Sequence, residues 1–297
     1  MTNCIAQLQA RGVAVAQDVP LSGKTSFKIG GLAEWMLFPA TVEELQLCVR
    51  LCAQAEVRPF LLGNGSNLLV KDSGLDGVVI ATEKLQDLRA AGDGRILCEA
   101  GVKLAELCVF AQKQGLAGLE FAYGIPGSAG GAVFMNAGAY GGEMQDVLTA
   151  AAYVDAQGEL RTLASPALGL GYRRSAFMAN GGLVASLTVQ LTPGDPAEIR
   201  ARMEEIMRRR KEKQPLEFPS AGSVFKRPEG QFAGALIEKC GLKGQQIGGA
   251  QVSEKHAGFI INRGGAKAAD VRALIAVIQT VVQNQTGVLL EPEILFV

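Results

Sequence analysis

Apolar residues recur along this chain at two different intervals, and the switches between them predict a mixture of helices and strands. Residues 1–21 are expected to form a short amphipathic lead-in. LSGKTSFKIGGLAEWMLFPAT then alternates polar and apolar positions on either side of Gly30 and Gly31, which predicts a strand, a tight turn and a second strand. Thr41 and Glu44 have capping-box spacing, and Leu45, Cys48, Val49 and Cys52 share one helical face, so a helix is predicted from Thr41 to about Ala55. PFLLGNGSNLLV reads as strand, turn and strand, and Gly77–Thr82 and Arg95–Ala100 read as further strands. Leu104, Leu107, Cys108 and Ala111 mark a helix closed by Gly115.

The second half continues the mixture. AAYVDAQGELRTLA predicts a hairpin turning at Gln157–Gly158, and GGLVASLTVQL a further apolar strand. A boundary is expected near Thr192–Pro193–Gly194. Beyond it Asp195 and Glu198 cap a long helix in which Glu204 with Arg208 and Glu205 with Arg209 stand at i,i+4. A short helix over AGALIEKCG follows. A last one is marked by Val271, Leu274, Ile275, Ile278 and Val281 and ends near Gly287, before a closing strand VLLEPEILFV. Strands and helices mix without strict βαβ repetition, so the fold class is α+β.

One stretch departs from both intervals. YGIPGSAGGAVFMNAGAYGGEM, Tyr123–Met144, holds seven glycines and almost no charge. Glycine lets another molecule approach the peptide N–H groups, so the run is read as backbone that wraps a ligand; a pyrophosphate joined to a planar ring system fits that description. GNGSN, residues 63–67, is a weaker version of the same signal. Leu68 stands where the third glycine of a dinucleotide fingerprint belongs.

Composition narrows the function classes. Among 297 residues, 29 basic and 29 acidic side chains leave a formal net charge of zero, so nothing electrostatic points to nucleic acid or an anionic membrane as partner. The N-terminus lacks the pattern of a secretory signal, and no run approaches the roughly 20 apolar residues of a spanning helix, so a soluble cytoplasmic protein is expected. Six cysteines occur without a C-x-x-C pair and are read as buried free thiols. The single histidine, His256, cannot supply a metal-ligand cluster, so no metal site is expected and His256 is read as a hydrogen-bonded structural residue at a strand edge.

Three polar groups interrupt apolar or small surroundings: Arg173 in GYRRSAF, Ser223 in AGSVFK and Glu291 in LLEPEI. Burial of the two charged ones without a partner is costly, so they either pair with each other or meet a ligand.

KTSFKIGG, GNGSNLLV, the glycine-rich stretch, GYRRSAF, AGSVFKRP, HAGFIIN and LEPE, in that order, resemble the UDP-N-acetylenolpyruvoylglucosamine reductases, flavoenzymes that make UDP-N-acetylmuramate for peptidoglycan. The resemblance runs from about Ser22 to the last residue. It implies an FAD-binding region of the vanillyl-alcohol oxidase (PCMH) type over 22–192, in two α/β lobes at roughly 22–82 and 83–192, and an α+β substrate-binding domain over 193–297.

By the same resemblance the catalytic arginine, the proton-donating serine and the catalytic glutamate are Arg173, Ser223 and Glu291. FAD falls to Gly63, Asn64, Gly65, Ser66, Asn67, Tyr123, Gly124, Pro126, Gly127, Ser128, Gly130, Gly131, Asn136 and Gly138. Substrate contacts fall to Tyr172, Lys213 and Arg227, and NADPH is implied as co-substrate. The short segment between Arg173 and Ser223 resembles the form of the family without a tyrosine-bearing insertion. The implied partner is a small molecule, with no obligatory protein partner. Two alternatives stay open: an FAD oxidase acting on a small alcohol, and a non-enzymatic binder of a UDP-sugar.

Overall fold

Helix α1 (Thr2–Ala10) and strand β1 (Ala14–Pro20) begin the chain, where the sequence predicts only a lead-in. The computed structural model describes all 297 residues. They form two units: Met1–Gln17, Glu34–Asn64 and Gly77–Arg208 make unit 1, and Asp18–Ala33, Gly65–Asp76 and Arg209–Val297 make unit 2. The chain thus passes repeatedly between the units, where the sequence suggested one boundary near residue 193.

Unit 1 holds two sheets. The first has the order β1-β2-β4-β3, with β2 at Leu32–Phe38, β3 at Phe60–Leu62 and β4 at Leu75–Ala81; β3 and β4 run parallel. Helix α2 (Val42–Gln54) forms as its spacing predicts: the Thr41 hydroxyl accepts from the Glu44 N–H at 3.2 Å, and Glu44 Oε2 accepts from the Ala40 N–H at 2.7 Å. Its apolar face brings Leu45, Cys48 and Cys52 into one core with Ile5, Leu8, Leu37 and Ile80.

The second sheet, all antiparallel, has the order β8-β7-β9-β6-β5, from β5 (Leu88–Gly92), β6 (Arg95–Glu99), β7 (Leu148–Val154), β8 (Leu160–Ala164) and β9 (Leu183–Gln190). The predicted hairpin is β7–β8, and Asp155 Oδ1 closes its turn by accepting from Gln157 and Glu159 N–H groups at 3.0 and 2.9 Å. Helices α3 (Leu104–Lys113) and α4 (Ala129–Phe134) contribute Leu107, Cys108 and Val133 to the core under this sheet. The short helix α5 (Ala176–Asn180) and the long α6 (Pro196–Lys213) follow, the latter entered where Asp195 Oδ1 accepts from the Ala197 N–H at 2.9 Å. Ion pairs on α6 join Arg200 to Glu204 and Glu205 to Arg208.

Unit 2 is a four-stranded antiparallel sheet of order β10-β13-β12-β11, from β10 (Ser220–Ser223), β11 (Gln246–Ile247), β12 (Ala250–Val252) and β13 (Phe259–Asn262). Helices α7 (Ala233–Lys239) and α8 (Ala268–Thr286) build its core with Leu236, Val271, Leu274 and Ile278. Distant segments close it through specific bonds. Asn262 Nδ2 donates to the Phe27 carbonyl at 3.1 Å, and the Ser26 hydroxyl donates to the Ser220 carbonyl at 2.7 Å. The Asp72 carboxylate accepts from Ala268 and Ala269 N–H groups at 2.8 and 3.2 Å, an anion placed at the positive end of α8. VLLEPEILFV is not the continuous strand expected. Only Leu295–Phe296 form a ladder, parallel to Leu68–Leu69, with an isolated bridge between Phe225 and Pro292. No helix is long and apolar enough to cross a membrane.

All six cysteines are free and five are buried, as the sequence suggested. Burial pushes the Cys48 thiol up to about 12, which keeps it protonated and unreactive.

Candidate active site

In unit 1 the glycine-rich stretch folds into a real helix, α4, which the sequence did not announce. Ser128 caps it, its hydroxyl accepting from the Gly131 N–H at 3.3 Å, and Asn136 ends it at φ +42. The Ala137 N–H reaches the Ala132 carbonyl at 2.8 Å and the Asn136 N–H reaches Val133 at 3.2 Å, the paired bonds of a Schellman stop with asparagine in the left-handed position.

Several glycines expected to cradle FAD owe their identity to packing within the protein. A β-carbon on Gly130 would lie 2.7 Å from that of Ala100, and one on Gly63 would lie 2.5 Å from the Ser128 hydroxyl. The second contact has a further consequence, since it brings the start of GNGSN directly against the entry to α4. Gly131 is exposed there, while Tyr123, Gly124 and Gly127 are half-buried and Pro126 is exposed. A surface made of backbone at close quarters, with little side chain in front of it, fits a diphosphate. Two of the expected FAD contacts have side chains engaged within the protein. Ser128, 4% exposed, spends its hydroxyl on the helix cap, and Asn136, fully buried, spends its amide on internal bonds.

Arg173 stands in a tight turn of unit 1. Gly171 and Arg174 exchange both backbone bonds, at 3.1 and 3.0 Å, and Arg173 itself has φ +52. Its guanidinium lies 5.2 Å from the Tyr172 ring centroid, and Tyr172 is 53% exposed.

Ser223, Arg227 and Glu291 belong to unit 2. Gly222 at φ +76 and a register shift between Ser220 and Ser223 bend β10, and Ser223 stays half-buried opposite Phe259. The chain then pairs with LEPE: the Glu293 N–H donates to the Val224 carbonyl at 2.7 Å, and the Lys226 N–H donates to the Glu291 carbonyl at 2.8 Å. Glu291 therefore lies opposite Lys226, three residues along from Ser223, or about 10 Å at strand rise. Its carboxylate pairs with Lys226 Nζ at 3.2 Å and is 70% exposed, a surface charge held in an ion pair. Pro292 interrupts the apolar run and carries the isolated bridge to Phe225 beside Glu291. The Arg227 guanidinium stacks 4.6 Å from the Phe232 ring centroid. Lys213, the last residue of α6, is exposed.

Other polar groups of unit 2 make internal hydrogen bonds. Asn67, expected at FAD, donates its side-chain amide to the Glu293 carbonyl at 3.2 Å. Asn262 Oδ1 accepts from the Gly264 and Ala266 N–H groups at 2.9 and 3.2 Å. His256 Nδ1 accepts from the Gly258 N–H at 3.1 Å, which puts the imidazole proton on Nε2, and burial lowers the pKa of the ring. A cavity of about 270 Å³ lies among Phe218, Gln251, Ser253, Lys255 and Arg263, but none of Lys213, Ser223, Arg227 and Glu291 lines it. Its cations are already engaged, Lys255 with Glu217 at 3.5 Å and Arg263 over the Phe218 ring at 4.7 Å.

Comparison with known proteins decides the family. A model of the UDP-N-acetylenolpyruvoylglucosamine reductase C-terminal domain matches residues 214–297, and a model of an FAD binding domain matches 33–164. A curated UDP-N-acetylenolpyruvoylglucosamine reductase from Clostridium botulinum (strain Hall) is 49% identical over 277 residues, 93% of this chain and 90% of that protein. The chain belongs to this reductase family.

Its relatives include the reductase of Lactobacillus helveticus, 43% identical over 97% of this chain and 96% of that one. Among solved structures, the reductase of Thermus caldophilus superposes with a TM-score of 0.81 at 38% identity, covering 96% of this chain and 98% of that chain. An alkyldihydroxyacetonephosphate synthase, 16% identical with a TM-score of 0.51 over 65% of this chain and 40% of that one, shares the fold alone. The protein is accordingly an oxidoreductase with an FAD-binding domain, and the α+β class with a PCMH-type region stands.

Proposed function

We propose that the enzyme reduces UDP-N-acetylglucosamine enolpyruvate to UDP-N-acetylmuramate, in the cytoplasm, with NADPH as the source of electrons. The observation that carries this reading is the 49% identity to a reductase of that name over 93% of the chain. In unit 1 the backbone of Gly63, Asn64, Tyr123–Gly127 and Gly131 would hold the cofactor. FAD, when bound, supplies the redox chemistry that passes a hydride from NADPH to the terminal vinyl carbon of the substrate.

The chain's own residues handle charge and proton. Hydride addition to an enol ether beside a carboxylate leaves carbanion character next to that carboxylate, in effect an enolate. Arg173 neutralises this charge as it builds, and a fixed cation of this kind is worth about 3 kcal/mol. Holding the guanidinium in a left-handed turn fixes its origin before the substrate arrives. Ser223 donates its hydroxyl proton to the carbon beside the carboxylate; the hydroxyl is a weak acid, and the strong basicity of an enolate makes the transfer feasible. Glu291, held by Lys226, serves as an orienting acceptor. Arg227 and Lys213 supply cations for the diphosphate and Tyr172 an exposed ring for the sugar nucleotide.

Incubating the purified protein with the enolpyruvyl nucleotide and NADPH tests the proposal. The product is expected to be heavier than the substrate by two hydrogen atoms. Unconsumed substrate beside a fully flavin-loaded enzyme would overturn it.

A further inference from the structure

Arg173 occupies the third position of the turn Gly171–Arg174, and its φ of +52 is one that side-chain-bearing residues avoid. Tyr172 before it has no positive φ, so the turn has the signature of type II, whose third position is ordinarily glycine. An arginine persists there only if its surroundings over-determine the backbone.

Those surroundings are the end of α4. Asn136 Nδ2 donates to the Gly171 carbonyl at 3.1 Å, the same carbonyl that accepts from the Arg174 N–H and closes the turn. The second proton on Nδ2 goes to Glu143 Oε2 at 3.0 Å, and Oδ1 accepts from the Gln145 N–H at 2.9 Å. The amide is thus engaged on both sides in a site with no exposure to solvent. Glu143 is fixed in turn, its N–H donating to Asp146 Oδ2 at 2.9 Å and its carboxylate accepting from the Gln145 side chain. Past the turn, the buried Ser175 hydroxyl donates to the Phe134 carbonyl at 2.7 Å. Both ends of the Arg173 turn are therefore fastened to the last residues of α4.

We propose that Asn136 is the positioning residue for Arg173, acting through the Gly171 carbonyl to hold the arginine in its left-handed turn. The inference rests on the reading that Arg173 meets the developing charge.

Asn136→Gly is the informative change. Glycine is the commonest residue at this position of a Schellman stop, so α4 keeps its end while every bond of the amide is lost. Asn136→Asp, which keeps the acceptor for Gln145 but loses both donors and faces Glu143 with a second carboxylate, serves as a second variant. In the holoenzyme, amide exchange at Arg174 is expected to accelerate in both. Turnover per bound flavin is expected to fall about 10²-fold, the usual cost of misplacing a catalytic group by about 1 Å. In an Arg173→Ala background the same changes should cost at most about twofold more, because the group they position is gone. A loss undiminished in that background, with Arg173→Ala itself severely impaired, would make Asn136 merely structural and overturn this inference alone. Unchanged exchange at Arg174 would overturn it as well. Wild-type turnover in Arg173→Ala would remove the catalytic reading of Arg173 and this inference together.

Discussion

Asn67 donates its side-chain amide to the main-chain carbonyl of Glu293 at 3.2 Å, across 226 positions of sequence, and the Leu295 N–H returns to the Asn67 carbonyl at 2.9 Å. The end of GNGSN and LEPE, which sequence reasoning assigned to different ligands, are thus joined to each other in unit 2. Replacing Asn67 by alanine leaves the Glu293 carbonyl without this donor and is expected to cost about 1 kcal/mol. For a chain of this size that lowers the thermal midpoint by about 2 °C or slightly less. A thermal scan of the flavin-loaded variant decides it, and an unshifted midpoint would mean the bond is replaced by water at no cost.

Ser223 separates two halves of the proposed reaction. Ser223→Ala should still allow NADPH to bleach the flavin, because no proton from the serine is needed there. Substrate turnover should drop about 10²- to 10⁴-fold. Stopped-flow measurement of each half-reaction checks this. Equal slowing of both would assign the serine a structural part on the bent strand β10.

Glu291 and Lys226 form an exposed pair, and such pairs contribute at most about 1 kcal/mol to stability. Glu291→Gln is therefore expected to leave the thermal midpoint within about 2 °C of wild type while lowering kcat by tenfold or more. Paired kinetic and thermal measurements test the split. A variant as active as wild type would reduce Glu291 to a surface charge.

The pH dependence of stability follows from His256, the only histidine. Burial lowers its pKa in the folded protein, so the unfolded chain, with an ordinary value of about 6.5, takes up the proton first. Stability is complete above about pH 6.5 and is lost as pH falls from there through the folded pKa. The thermal midpoint should decline as pH falls below about 6.5, and less so in His256→Gln. Parallel slopes in the two proteins would show that other groups govern the decline.

What was legible in the sequence was mostly local. Thr41 and Glu44 announced α2, and Gly158 announced the hairpin, because the residues that decide those features are neighbours in the chain. α4 was missed because a helix of six residues containing Gly130 and Gly131 has almost no apolar face to read; its signals were the Ser128 cap and the Asn136 stop. The interleaving of the units was invisible because it depends on pairings such as Ser26 with Ser220 and Asp72 with Ala268, which no local pattern encodes. Arg173 and Ser223 stand out in the sequence as polar interruptions, but their settings, a left-handed turn and a bent strand, have no local signature there. VLLEPEILFV was read as one strand across a proline, and its reduction to Leu295–Phe296 was not legible.

The most direct test is a single absorbance record of the purified protein at the flavin band. The account predicts a yellow protein that bleaches on addition of NADPH without oxygen and regains its colour when UDP-N-acetylglucosamine enolpyruvate is added. A flavin that bleaches and stays colourless in the presence of that nucleotide would contradict it.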